Sequence, residues 1–345
     1  MRCVSHAATM HRSPSTAMWI RRSRVDAVGS PGVRRLLVVL ACAILGLACV
    51  VLAAARVGEH AGALSNWQAL VLGVTQGLTE FLPISSSGHL ILVPWVGDWH
   101  YLETHEDFNK TFDVALHLGT LVAAIAYFRR DVALLVRAWL RSVGSRAIRD
   151  DDERLAWLIA AATVPAALVG GVGEDFISQK LGEPWQIAVL LATFGLLLLW
   201  ADRRPQDRPL PRLRWRDAVG VGIAQALALA PGVSRSGVTI TAGRFLRLDR
   251  SAAARFSFLL LIPVVLGAVV LKGTKDVLLG AGLPRGSAGP FIVGMLAAAV
   301  SGLVAIWALL GYVRTRSYLP FVIYRFVAAG LIALVIVANW RDATF

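Results

Sequence analysis

The sequence predicts an all-α polytopic membrane protein built from inverted-topology repeats, with six transmembrane helices, two re-entrant helical hairpins and an extra N-terminal span. Three observations lead there. Of the 345 residues 56% are hydrophobic and the mean hydropathy is +0.62, with apolar runs that only lipid can satisfy. The stretch "QGLTEFLPISSSGHL", Gln76 to Leu90, returns without a gap 149 positions later as "QALALAPGVSRSGVT", Gln225 to Thr239. Arginine clusters in some connecting segments and is scarce in others, which is the mark of membrane topology.

Residues 1–65 form an N-terminal extension. Seven arginines precede an apolar run over about 36–55, which is expected to form a span with its N-terminus in the cytoplasm. No clear small-x-small site falls before a polar stretch, so the run is expected to be retained, although "LACAILGLAC" keeps cleavage open. Residues 1–30 are expected to be disordered. The membrane domain covers 66–340. Within it the motif copies at 67–90 and 216–239 share Ala69, Gly73, Gln76, Leu78, Ser85, Ser87 and Gly88, seven of 24 positions, as an internal duplication would leave them. Gly, Pro and Ser interrupt each copy after about 15 apolar residues, fewer than the ~20 that cross a bilayer core, so each is expected to be a hairpin that returns to its own side. Broken backbone of this kind is tolerated at membrane depth only inside protein or beside a watery cavity. Full spans are expected at about 112–128, 155–172, 186–201, 251–271, 290–311 and 318–338.

Charge tests this scheme independently. Segment 129–154 holds seven arginines and 201–216 holds six, so both loops are expected to be cytoplasmic. Arg244, Arg247, Arg250 and Arg255 agree if the second hairpin enters from that side, while 98–111 and 173–185 lean acidic as outer loops do. Three spans separate the motif copies, and an odd number inverts the second copy relative to the first. Broken helices then meet near mid-membrane, so "SSSGH" and "SRSGVT" are expected to be neighbours. The tryptophans at 67, 95, 99, 185, 200, 215 and 340 read as an interfacial belt. Arg314, Arg316 and Arg325 read as topology or headgroup residues, with cavity lining as the alternative for Arg325. The net charge of +13 is thus topological, and no nucleic acid partner is expected. Cys3, Cys42 and Cys49 suit neither a disulfide framework nor a zinc site.

The two motifs concentrate polar chemistry in apolar surroundings, where a functional site is the default reading. Glu80 lies one turn after Gln76 on the same helix face. A half-buried carboxylate needs a cation, either a divalent metal held with phosphate oxygens or Arg235; a purely structural ion pair is the bland alternative. Ser85, Ser86 and Ser87 in one copy and Ser234 and Ser236 in the other sit at helix breaks, where hydroxyls and free amides make a phosphate cradle. Arg235 adds a planar fork suited to bidentate phosphate contact. Any single serine could equally be mediating helix packing, so the cluster carries the signal. His89, three residues from Ser86, can act as its base or can activate a water. His117, with Asp113 one turn earlier, is a weaker candidate that packs or lines the cavity.

"QGLTEFLPISSSGH" and "PGVSRSGVT", with the flanks "FSFLLLIPVVLGA" and "PFVIYRF", resemble the signature motifs of the bacitracin-resistance type undecaprenyl-diphosphatase family, over roughly residues 66–340. The resemblance implies a bacterial plasma-membrane hydrolase dependent on a divalent cation, Mg²⁺ or Ca²⁺. Such an enzyme converts undecaprenyl diphosphate to undecaprenyl phosphate and recycles the lipid carrier for peptidoglycan. By motif position it implies Glu80, Ser86, His89 and Arg235 as catalytic residues, with Glu80 on the metal, and Gln76, Ser85, Ser87, Ser234, Ser236 and Thr239 on the substrate. Membrane lipids are the other expected partners, and a homodimer is compatible. Two rivals stand beside it. Inverted repeats also suit a flippase for undecaprenyl phosphate. An acid-phosphatase-like lipid phosphatase would need a second His after "SR", which "SRSGVTITAG" lacks.

Overall fold

The computed structural model describes residues 64–99, 101–102, 105–274 and 288–344; the N-terminal extension and its expected span at 36–55 lie outside the described residues. Everything regular within them is helical. Helix α1 (Asn66–Phe81) begins at a capping box, in which Ser65 Oγ accepts from Gln68 N and Gln68 Oε1 accepts from Ser65 N. It turns into α2 (Ser86–Gly97), followed by α3 (Glu106–Tyr127), α4 (Arg129–Ser145), α5 (Asp151–Lys180) and α6 (Pro184–Asp202). The second half runs α7 (Trp215–Ala226), α8 (Arg235–Phe245), α9 (Arg250–Lys272), α10 (Ala288–Val313) and α11 (Leu319–Val337).

Among the described residues five helices, α5, α6, α9, α10 and α11, are each long and apolar enough to cross a membrane. Their outer faces present large apolar side chains such as Leu168, Val300, Trp307 and Leu334, which suit lipid rather than water. By contrast α1, α2, α7 and α8 have 16, 12, 12 and 11 residues, below the ~20 needed to span. The sixth expected span, 112–128, lies in α3, which bends by 85° at Phe128 into α4. Charged and polar residues through its first half, down to Asp113 and His117, make α3 less apolar than the five long spans.

Apart from α4, both halves follow one order: two short helices joined by a break, then three long ones. Packing crosses between the halves. Helix α1 lies against α10 and α3, its counterpart α7 lies against α5, and α6 pairs with α11. Two glycines shared by the motif copies make these contacts close. A Cβ on Gly73 would strike the Gly294 carbonyl of α10, and a Cβ on Gly222 would strike the Ala162 carbonyl of α5. Small residues let membrane helices approach in this way, in place of a hydrophobic driving force.

Three expectations are corrected. Segment 129–154 is not all loop, because α4 occupies its first part, burying Leu135 and Ala138 against α5 and leaving Val136, Leu140 and Val143 exposed. Its apolar residues recur at helical spacing, a period that the count of arginines obscured. Trp95 and Trp99 are buried rather than interfacial; Trp95 packs among Ile187, Leu191 and Ile332 and donates to the Asp342 carbonyl. Arg325 is wholly buried and neither meets headgroups nor lines an open cavity.

Candidate active site

Both motif copies break just before a serine-capped helix, although their leading helices end differently. Helix α1 ends at Phe81 and the chain leaves it extended through Leu82; α7 ends in a 3₁₀ turn, Leu227–Leu229, before Pro231 and Gly232. The next helices start from Ser85 and Ser234, which adopt left-handed backbone with φ of 77° and 75°. Each hydroxyl caps its helix: Ser85 Oγ accepts from Gly88 N and Ser234 Oγ from Gly237 N. The serine two positions on closes the same small ring in each copy, with Ser85 Oγ 3.5 Å from Ser87 Oγ and Ser234 Oγ 3.3 Å from Ser236 Oγ. Two amide-rich helix N-termini of like geometry result, and such termini favour anions.

The breaks touch each other, as the charge pattern led us to expect. Gly232 N donates to Ser85 Oγ at 3.1 Å, and Ser236 Oγ donates to the Leu82 carbonyl at 3.0 Å. Between them a carboxylate meets a guanidinium: Arg235 Nη2 lies 2.9 Å from Glu80 Oε1, and Arg235 Nε also donates to that oxygen. Glu80 Oε2 accepts from Ser86 Oγ at 2.6 Å and from Gln76 Nε2 at 3.1 Å. Glu80 and Gln76 are buried, whereas Ser86, Ser87 and Arg235 are partly open, so the open side of the cluster is lined by hydroxyls and a cation. Gln76 Oε1 is buried with no hydrogen-bond partner, an acceptor waiting for a donor or a cation.

Two placements differ from expectation. Ser86 gives its proton to Glu80 and not to His89. His89 is committed elsewhere, since Nδ1 donates to the Ser85 carbonyl at 2.6 Å and Nε2 lies 2.6 Å from the Tyr324 hydroxyl. The helix sets this: Ser85 is one turn before His89, so its carbonyl lies directly under the ring. Thr239 is also turned away from the cluster, one turn below Arg235, bonded to the Arg235 carbonyl and 2.7 Å from Ser257 Oγ. His117 stands closer to the carboxylate than its weak sequence signal suggests. Its Nδ1 donates to the Asp113 carbonyl and Nε2 comes within 3.9 Å of Glu80 Oε2. Tyr324 and Ser257 were missed, although both lie in the apolar flanks "PFVIYRF" and "FSFLLLIP"; a lone hydroxyl in such a run is the only signal the sequence offers.

The family model described as "Bacitracin resistance protein BacA" matches residues 69–331, which include both breaks and every residue of the cluster. The chain belongs to this family. Among its relatives, the protein named undecaprenyl-diphosphatase of Geobacter sulfurreducens is 47% identical over 266 residues, 76% of this chain and 96% of the relative. The undecaprenyl-diphosphatase of Rubrobacter xylanophilus is 46% identical over 268 residues, 77% of this chain and 96% of the relative. That of Moorella thermoacetica is 46% identical over 269 residues, 78% and 97%. The bacitracin resistance family therefore accounts for the two hairpin breaks and the long helices together, leaving the N-terminal extension outside the match.

Proposed function

We propose that this protein is an integral membrane hydrolase that converts undecaprenyl diphosphate to undecaprenyl phosphate and inorganic phosphate. In the bacterial plasma membrane this recycles the lipid carrier for peptidoglycan synthesis and confers bacitracin resistance. The observation that carries the reading is the Glu80–Arg235 pair, which joins two capped helix N-termini from opposite halves of the chain. It sets a carboxylate, a guanidinium and a hydroxyl around one partly open point, and phosphoryl transfer is mostly positioning and electrostatics.

Each residue then has a task. The polyprenyl tail lies along the apolar helices and the diphosphate meets the turns. Ser86 and Ser87, with the first amides of α2 and α8, orient its oxygens, while Ser85 and Ser234 hold those amides in place as caps. Ser236, buried and bonded to the Leu82 carbonyl, ties the two turns together. Arg235 exchanges Glu80 for phosphate, neutralising charge on the leaving undecaprenyl phosphate. Ser86 Oγ attacks the terminal phosphorus as its proton passes to Glu80 Oε2, the P–O bond to the bridging oxygen breaks, and water later releases phosphate from Ser86 and restores its proton. The 2.6 Å Ser86–Glu80 contact favours this route over a water activated by His89. His89 and Tyr324 brace the turn from below, and Thr239 braces Arg235.

A divalent cation, Mg²⁺ or Ca²⁺, would be held by Glu80 and by Gln76 Oε1, whose buried oxygen lacks a donor. Among the described residues no group of three or more His, Cys, Asp or Glu side chains could hold a metal by itself, so substrate phosphate oxygens would complete the set. When bound, the cation offsets negative charge on the diphosphate.

The test is phosphate release from undecaprenyl diphosphate by the purified protein in detergent, with and without EDTA, beside Glu80→Ala. Metal-dependent release that Glu80→Ala loses is the expected result. No release from folded wild-type protein would defeat the reading and turn attention to lipid flipping in liposomes.

A further inference from the structure

Arg325 is an arginine in the middle of an apolar helix, fully buried, with no carboxylate within ion-pair distance among the described residues. An isolated buried charge is strongly destabilising unless hydrogen bonds offset it. Its bonds go to a specific set of backbone oxygens. Nη1 donates to the Pro83 carbonyl at 3.2 Å, and Nη2 donates to the carbonyls of Gly232 and Val233 at 2.7 and 2.9 Å. Nε donates to the Leu191 carbonyl of α6 at 3.1 Å. Pro83 precedes the Ser85 cap by two residues, and Gly232 and Val233 precede the Ser234 cap by two and one. One guanidinium thus grips equivalent points of both breaks and ties them to α6.

Those breaks need such a grip. Ser85 and Ser234 are non-glycine residues with positive φ, a strained state that lasts only where the surroundings over-determine it. The cap hydroxyls account for the downstream side of each turn, and Arg325 for the upstream side. The shape of the group matters as well as its charge. Four carbonyls lie around it at hydrogen-bond distance, which a planar fork of five donors can serve and an ammonium with three cannot. Gly237 leaves the space it occupies, since a Cβ there would stand 2.8 Å from Nη1.

We propose that Arg325 is a positioning residue for the diphosphatase site: it fixes the two breaks relative to each other, so that Ser86 and the amides of α2 face the same phosphate as Arg235 and the amides of α8. This rests on the proposed function for its catalytic consequence, and on geometry alone for the coupling of the two turns. The experiment uses full-length Arg325→Lys and Arg325→Gln in detergent, checked for folding by size exclusion and thermal melting. Hydrogen exchange over 83–90 and 232–239 is expected to rise in both segments together. In the same samples kcat for undecaprenyl diphosphate is expected to fall at least ten-fold with KM within two-fold, because tail and charge still bind while transition-state alignment is lost. Unchanged exchange in either turn, or kcat within two-fold of wild type, overturns the proposal. Failure of both variants to fold assigns Arg325 to folding alone and overturns it equally. If wild type itself releases no phosphate the proposed function fails, and the exchange measurement still decides whether Arg325 couples the turns.

Discussion

The first and second hairpin breaks share a frame and divide the chemistry. Each has a left-handed serine cap, a second serine beside it, a glycine on the third position and a glycine in its leading helix that fits the other half's long helix. What differs is what projects from the frame. Position 80 is Glu where its counterpart 229 is Leu, and position 86 is Ser where 235 is Arg. The two copies share like helix N-termini, and the positions that differ give one an acidic group and the other a basic one. Because the termini touch, the two charges meet at 2.9 Å and neither is buried alone.

The largest effect expected from breaking this division is on turnover. Arg235→Ala or Glu80→Ala should lower kcat by about 10²–10³-fold, roughly 3–4 kcal/mol of transition-state stabilisation, in a phosphate-release assay on folded protein. Activity of Arg235→Ala within a few-fold of wild type would defeat the phosphate-clamp role. The exchanged pair, Glu80→Arg with Arg235→Glu, restores opposite charges and should regain melting temperature without regaining turnover. Should turnover return as well, the two breaks would be interchangeable and the comparison would fail.

The shared frame makes a second, smaller prediction. Gly73→Ala and Gly222→Ala each press a methyl against a carbonyl of the opposite half and should each cost about 1–3 kcal/mol, read as lower melting temperatures in detergent. A loss at only one of the two would show that the halves do not pack alike. The caps come next. Ser85→Ala and Ser234→Ala should each cost about 1 kcal/mol, with Ser85 the larger because its oxygen also takes Gly232 N. Glycine at either position should cost less than alanine, since the positive φ suits it.

How much of this the sequence disclosed depends on whether the signal was local. The gapless repeat and the interruption by Gly, Pro and Ser located both breaks, and the arginine pattern put them together, because topology is written in composition along the chain. The Glu80–Arg235 pair was legible for the same reason: two charges in apolar repeats have few other places to go. Orientation was not legible. Whether Ser86 turns to Glu80 or to His89 depends on rotamers and on Tyr324, 235 residues away from His89. Arg325 looked like a headgroup residue because a single cation in an apolar run carries no record of the carbonyls it will meet. Those carbonyls belong to Pro83, Leu191, Gly232 and Val233, which come from three other parts of the chain.

The smallest expected effect sharpens the comparison most cheaply. Gln76 and Gln225 are equivalent in the repeat and both are buried, yet Gln76 donates to Glu80 while both polar atoms of Gln225 lack partners. The reason is position 229, where leucine replaces the carboxylate that a glutamine one turn earlier would serve. A buried amide without partners costs about 1–3 kcal/mol of desolvation, so replacing it with an apolar side chain of similar size should be neutral or stabilise by up to about 1 kcal/mol. Gln225→Leu is therefore expected to keep wild-type turnover and an equal or higher melting temperature. Gln76→Leu, the same change in the other copy, should leave melting little changed and lower turnover. Equal behaviour of the two variants would mean that Gln76 owes nothing to its neighbour Glu80, and that the chemistry of the first break does not extend a turn further back along α1.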